Sequence, residues 1–192
     1  MRLFVALEIP AEVREKLASL IKVLHKAAEQ SLGTAPRWEL PENLHVTLKF
    51  IGEVAAARLA PICSALASMP SGEPITLKFR GLGFFPNEKN PKVLWAGIEG
   101  SPNLATLAAN LERALQHLGI PREQRAFKAH LTLARFDPPG STGRLRAAIE
   151  QNATRVFGSL HARAFHLIES ELKPSGAEYT TVQSFPFAEA EA

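Results

Sequence analysis

The sequence predicts an α+β fold: antiparallel sheet with flanking helices, arranged as two related lobes. Two observations carry the prediction. Short β-prone runs closed by turn-forming residues alternate with amphipathic helical stretches. In addition, His-x-Thr-Leu is written twice, as HVTL at 45–48 and HLTL at 130–133, each time inside an apolar run. Arg2–Glu8 reads as a strand ended by Pro10. Over Ala11–Gln30, Val13, Leu17, Leu20, Ile21 and Leu24 recur at helical spacing with charges between them, giving a helix with one apolar face. Ser31–Pro36 is a loop. From Asn43 to Gly52 the chain alternates, with Leu44, Val46, Leu48 and Phe50 on one face and His45, Thr47, Lys49 and Ile51 on the other. Ala55–Met69 is a second helix with a possible kink at Pro61. Ile75–Phe85 and Lys92–Glu99 are strands around the turn PNEKNP. Pro102–Leu118 is a helix stopped by Gly119 and Pro121. Phe127–Phe136 is the strand of the second HLTL, Asp137–Gly143 a loop and Arg144–Asn152 a short helix. Ala162–Ser170 and Tyr179–Phe185 close the fold around KPSGAE. In chain order this is strand, helix, strand, helix, hairpin, then helix, strand, helix, hairpin, so each lobe offers one His-x-Thr strand.

At 192 residues the chain suffices for one substantial core, and a single two-lobed domain over 1–192 is expected, with a frayed tail from about 188. Net charge is +3 and the pI about 9.2, a balance that suits a polyanionic ligand without demanding one. The single cysteine, Cys63, excludes an intramolecular disulfide and reads as a small buried hydrophobe. The apolar run in MRLFVALEIP is too short to span a bilayer and has no small-residue cleavage site. A cytoplasmic monomer is the default expectation, with no membrane contact.

In a strand, residues i and i+2 share a face, so His45 pairs with Thr47 and His130 with Thr132. Leu44, Val46, Leu48 and Phe50 anchor one strand from behind, and Ala129, Leu131 and Leu133 the other. Such strands hold side chains more rigidly than loops do. Threonine hydroxyls donate to phosphate oxygens, and imidazoles exchange protons near neutral pH. Splitting a phosphodiester needs one proton removed from the nucleophile and one given to the leaving oxygen. The residues alone leave a plainer alternative open: polar His and Thr on the wet side of two strands.

RWELPENLHVTLKFIGEV, GLGFFPN with PKVLWAGIE, FKAHLTLAR and LIESELKPSGAEY together resemble the two-histidine (2H) phosphoesterase superfamily, and within it the bacterial RNA 2′,3′-cyclic phosphodiesterases, also known as 2′-5′ RNA ligases. The likeness runs from the first residues to about Phe187. It implies two pseudo-symmetric lobes with a groove between them, carrying one motif from each. It implies opening of a 2′,3′-cyclic phosphate at an RNA 3′ end to a 2′-phosphate, without metal or other cofactor. Joining of tRNA halves through 2′-5′ linkages is implied for some members. His45 would then protonate the departing O3′, His130 would activate water, Thr47 and Thr132 would hold phosphate oxygens, and Arg135 would partner the phosphate charge. Two departures stand out. Ala129 replaces the proline usual before the second His. Arg135, five residues past His130, falls by parity on the opposite strand face, and needs a bulge, a strand end or its own length to reach the groove.

Lys49 and Lys128 share strand faces with Thr47 and His130 and are candidate phosphate contacts; solvated lysines are the alternative. Phe84, Phe85, Trp38 and Tyr179 are candidates to stack on a base, with core packing as the alternative. His25, His117, His161 and His166 have no partner at useful spacing. GLGFFP lacks the remainder of a phosphate-binding glycine loop, and no HExxH or clustered Cys/His set suggests a metal. Ser141 and Ser175 have no nucleophile-elbow context. Two classes of function fit the groove: a metal-independent cyclic phosphodiesterase acting on RNA ends, and a non-catalytic module that binds terminal RNA phosphates. An acid–base pair explains two imidazoles better than binding alone does.

Overall fold

A computed structural model describes residues 1–29, 36–70, 72–137, 143–174 and 176–188. All but Pro36 of the expected loop over Ser31–Pro36, most of that at 137–143, the tail after 188, Ser141 and Ser175 lie outside the described residues. The elements are β1 (Arg2–Glu8), α1 (Ala11–Glu29), β2 (Arg37–Trp38), β3 (His45–Glu53), α2 (Leu59–Ala67), β4 (Ile75–Phe85), β5 (Val93–Gly100), α3 (Asn103–Gln116), β6 (His130–Arg135), α4 (Gly143–Gln151), β7 (Val156–Ala162), β8 (Ala164–Lys173) and β9 (Gly176–Pro186). Short 3-10 turns over Pro41–Asn43 and Ala56–Arg58 lead into β3 and α2.

Two antiparallel sheets form, in the orders β3-β1-β8-β9 and β2-β6-β5-β4-β7. The α+β class predicted from the sequence is the one observed. The hairpins, however, are exchanged. The sheet of the first motif is completed by the C-terminal β8–β9 hairpin, and that of the second by the β4–β5 hairpin from the middle of the chain. The helices are exchanged likewise: α1, which follows β1, packs against α4 and β7, while α3 packs against β3. Each lobe is therefore built from both halves of the chain.

Local chemistry explains most boundaries. α1 buries Val13, Leu17, Leu20, Ile21, Leu24 and Ala28, the apolar stripe of an amphipathic helix. α2 begins at Leu59 rather than near Ala55, so Pro61 sits in its first turn, where the missing N–H breaks no ladder, and produces no interior kink. β7 was not predicted because Gly158 interrupts its apolar run. That glycine has φ +138°, and a Cβ there would lie 2.8 Å from Val13 Cγ2, so its bareness lets α1 cross the strand closely. The expected strand from Phe127 begins only at His130. One continuous core joins β1 (Leu3, Val5, Leu7), β3 (Val46, Leu48), β6 (Leu131, Leu133) and the helices, and it fixes the two motif strands from behind.

Candidate active site

β3 and β6 contact each other where the sheets meet. His45, Thr47, Phe50, Thr132 and Arg135 line one groove of about 770 Å³, together with Phe4, Arg37, Trp38, Glu39 and Tyr179. Strict alternation would put neither Phe50 nor Arg135 there. The register explains why. Along β1, Ala6 pairs with Thr47 and Val5 with Lys49, so Leu48 is an extra residue. Along β5, Trp95 pairs with Thr132 and Leu94 with Ala134, so Leu133 is an extra residue. Each motif thus carries a β-bulge at its own leucine, which sends two consecutive residues inward and returns the fifth residue after the His to the groove.

The same bulge overturns the expectation for Lys49. It is buried, with 5% exposure. Its Nζ lies 2.8 Å from Glu112 Oε2 and donates to the carbonyl of Pro121 at 2.7 Å. The Glu112 carboxylate also accepts the amide of Glu123 at 3.3 Å. Lys49 therefore ties β3 to α3 and to the segment that leads into β6, and it offers nothing to an RNA phosphate. Lys128 is exposed and does not line the groove; its contribution is its carbonyl. Phe50, assigned to the core by alternation, is instead 59% exposed.

The two imidazoles are held alike. His45 Nδ1 donates to the carbonyl of Asn43 at 2.6 Å, and His130 Nδ1 donates to that of Lys128 at 2.7 Å. In both, the acceptor is the carbonyl two residues upstream. A carbonyl can only accept, so Nδ1 carries the hydrogen and Nε2 is the atom that titrates. The Thr47 hydroxyl donates to His45 Nε2 at 2.9 Å. His130 Nε2 has no protein partner among the described residues. Aromatic rings wall both histidines. Phe4 and Tyr179 stand 4.7 and 5.2 Å from the His45 ring, and Phe85 meets His130 edge-on at 4.9 Å. Burial accordingly pushes both imidazoles below their ordinary pKa; the Nδ1 hydrogen bonds oppose this, and the charge of Arg135 adds to it at both rings. Of the four motif residues, His45, Thr47 and Thr132 line the groove with Arg135; the His130 ring is not among its lining residues. Arg135 Nε itself lies 3.4 Å from Glu39 Oε1. Burial and Glu39 raise the Tyr179 phenol.

Of the stacking candidates, Trp38 and Tyr179 line the groove, Phe85 backs His130, and Phe84 is core. Phe4, Asn43 and Glu39 were missed: Phe4 belongs to a buried strand by pattern, and the other two flank the motif without a spacing signal. Among the described residues no three His, Cys, Asp or Glu side chains are placed to hold a metal ion. No described helix is long and apolar enough to cross a membrane.

Two sheets that each turn a bulged His-x-Thr strand toward one arginine-bearing groove define a two-histidine phosphoesterase. Comparison with known proteins narrows the class. The model of the LigT-like phosphoesterases matches residues 7–95 and 98–179. An RNA 2′,3′-cyclic phosphodiesterase of Archaeoglobus fulgidus is 34% identical over 190 residues, covering 96% of this chain and 99% of that protein. Among solved structures, TT0787 of Thermus thermophilus superposes with a TM-score of 0.76 at 30% identity, over 97% of this chain and 98% of that one. LigT of E. coli complexed with 3′-AMP gives a TM-score of 0.72 at 25% identity, over 97% of each chain. The chain belongs to the LigT-like phosphoesterase family, and it is a phosphodiester hydrolase.

Proposed function

We propose that this chain hydrolyses the 2′,3′-cyclic phosphate at an RNA 3′ end to a 2′-phosphate, with the two imidazoles as the acid–base pair. The observation that carries the reading is the matched tautomer. Both histidines are pinned through Nδ1, so both present Nε2 for proton exchange. His130 Nε2, which has no protein partner among the described residues, takes a proton from water as its oxygen attacks phosphorus. The P–O3′ bond breaks, and protonated His45 Nε2 delivers its proton to O3′. The Thr47 and Thr132 hydroxyls donate to the non-bridging oxygens, and Arg135 offsets the charge that grows on them. In the free protein burial and Arg135 favour the neutral form of both rings. An incoming phosphodiester anion counters Arg135 and restores basicity, so substrate binding helps load the acid. A 5′-hydroxyl taking the place of water would give a 2′-5′ linkage by the same proton transfers, and the reverse reaction would exchange the two histidines' roles.

The RNA phosphodiesterases among the relatives and the 3′-AMP complex of the E. coli neighbour support a nucleotide in this groove, and the Trp38, Phe50 and Tyr179 rings offer faces for a base. The test is incubation of an oligoribonucleotide ending in a 2′,3′-cyclic phosphate with the protein, EDTA and no ATP. Accumulation of the 2′-phosphate product is expected. Intact substrate that nevertheless binds in the groove would overturn the catalytic reading in favour of an RNA-end binding module.

A further inference from the structure

Two guanidinium groups share one rung of the second sheet. Arg37 in β2 is the direct partner of Arg135 in β6. Directly opposed residues of an antiparallel pair share a face with Cβ atoms about 4.5–5.5 Å apart, and like charges there are destabilising. The pair has one acid at hand, Glu39, and that lies against Arg135. Arg37 has no carboxylate within ion-pairing distance among the described residues. Arg2, also on the groove wall, likewise makes no ion pair among the described residues, but it stands opposite Glu53 in the β1–β3 register and not opposite a second cation. Arg37 and Arg135 both line the groove, and against the burial and Glu39 that raise the Tyr179 phenol their charges, with that of Arg2, act in the opposite direction. The surplus positive charge of this rung therefore points into the volume the substrate occupies, and a single reacting phosphate uses only Arg135.

We propose that Arg37 binds the phosphodiester one nucleotide upstream of the reacting phosphate, so that an RNA chain is preferred over a free cyclic nucleotide. The proposal rests on the cyclic phosphodiesterase reading above. Arg135 acts at both imidazoles and belongs to the reacting phosphate; Arg37 stands one strand further out, where a polymer supplies its next anion and a mononucleotide supplies none. Guanidinium–phosphate pairing then relieves the repulsion within the rung.

The experiment compares kcat/KM for a short oligoribonucleotide ending in a 2′,3′-cyclic phosphate with that for a 2′,3′-cyclic mononucleotide, in wild type, Arg37→Gln and Arg37→Lys. In Arg37→Gln the oligomer-to-mononucleotide ratio should fall about tenfold, with partial recovery in Arg37→Lys. The slope of log kcat/KM for the oligomer against log salt should become shallower by about 0.7, one single-strand phosphate contact. Replacing the upstream phosphodiester by an uncharged methylphosphonate should cost wild type the same factor and cost Arg37→Gln nothing further. An unchanged ratio in Arg37→Gln, or methylphosphonate losses equal in both proteins, overturns the role of Arg37. Failure of the wild type to turn over either substrate would instead overturn the phosphodiesterase reading.

Discussion

β3 and β6 are near-copies in the backbone that positions each histidine, although only His45 also bonds its threonine. From the His onward, exposure falls in the same sequence: half-buried, buried, half-buried, buried, buried, then open to the groove. Each has its bulge at the leucine of the motif and its Nδ1 bond to the carbonyl two residues back. They differ at the two residues after the bulge. β3 has Lys49 and Phe50 where β6 has Ala134 and Arg135. At the first of these positions the side chain goes inward, and only β3 uses it for a buried ion pair. At the second it returns to the groove, where one strand offers an aromatic face and the other a cation. The duplicated part of the strand presents the histidines, and the unduplicated part gives the groove an aromatic side and a cationic side, which the proposed reaction would use for base and phosphate.

The most damaging changes should be those to the shared part. His45→Ala and His130→Ala are each expected to lower kcat on the cyclic phosphate by about 10²–10⁴-fold with far-ultraviolet circular dichroism unchanged. The double variant should be little worse than the poorer single one, because the two rings act as a unit. Single-turnover rates check this, and a variant that keeps a tenth of the wild-type rate would break the equivalence of the strands. The unshared positions should separate. Arg135→Gln is expected to cost about 10²–10³-fold in kcat, because the charge it answers grows in the transition state. Phe50→Ala should act mainly on KM, by roughly tenfold, as expected when one base loses a stacking face. Equal effects of the two substitutions on kcat would erase the proposed division of the groove.

Lys49 marks the boundary of what was legible in the sequence. The helices and most strands follow from periodicity, though the two-residue β2 and the glycine-interrupted β7 do not, and three of the four motif residues, His45, Thr47 and Thr132, line the groove. Alternation then failed at one residue in each strand, because a bulge leaves no mark in an apolar run such as TLKF or TLAR. That single slip moved Lys49 out of the groove and Phe50 and Arg135 into it. The exchanged hairpins were equally silent, since pairing between distant strands is decided by packing across the whole core. The corrected position is testable. Lys49→Met leaves the largely buried Glu112 carboxylate unanswered, and should lower stability by about 3 kcal/mol in denaturant titrations. Lys49→Met combined with Glu112→Leu should regain most of that loss. A Lys49→Met variant with normal stability and weakened RNA binding would return this lysine to the groove.

The smallest expected effect is one of pH, and it bears on what the two strands share. Both imidazoles are depressed below 6.5, first by burial and further by Arg135. The cyclic phosphodiester carries one charge through this range, so the limbs of kcat/KM belong to the histidines. The form with one protonated and one neutral ring is most populated between the two lowered values. The profile should therefore be bell-shaped with its maximum below pH 6.5. Arg135→Gln removes a lowering influence on both rings at once and should carry the maximum toward higher pH without changing its shape. Stability follows the same sign. Neutral rings are favoured in the fold, so their contribution is complete above about pH 6.5 and is lost as pH falls through the depressed folded values, where the unfolded chain binds more protons. A maximum that stays in place in Arg135→Gln, or a shift of only one limb, would mean that the guanidinium serves one strand's histidine and not the other's.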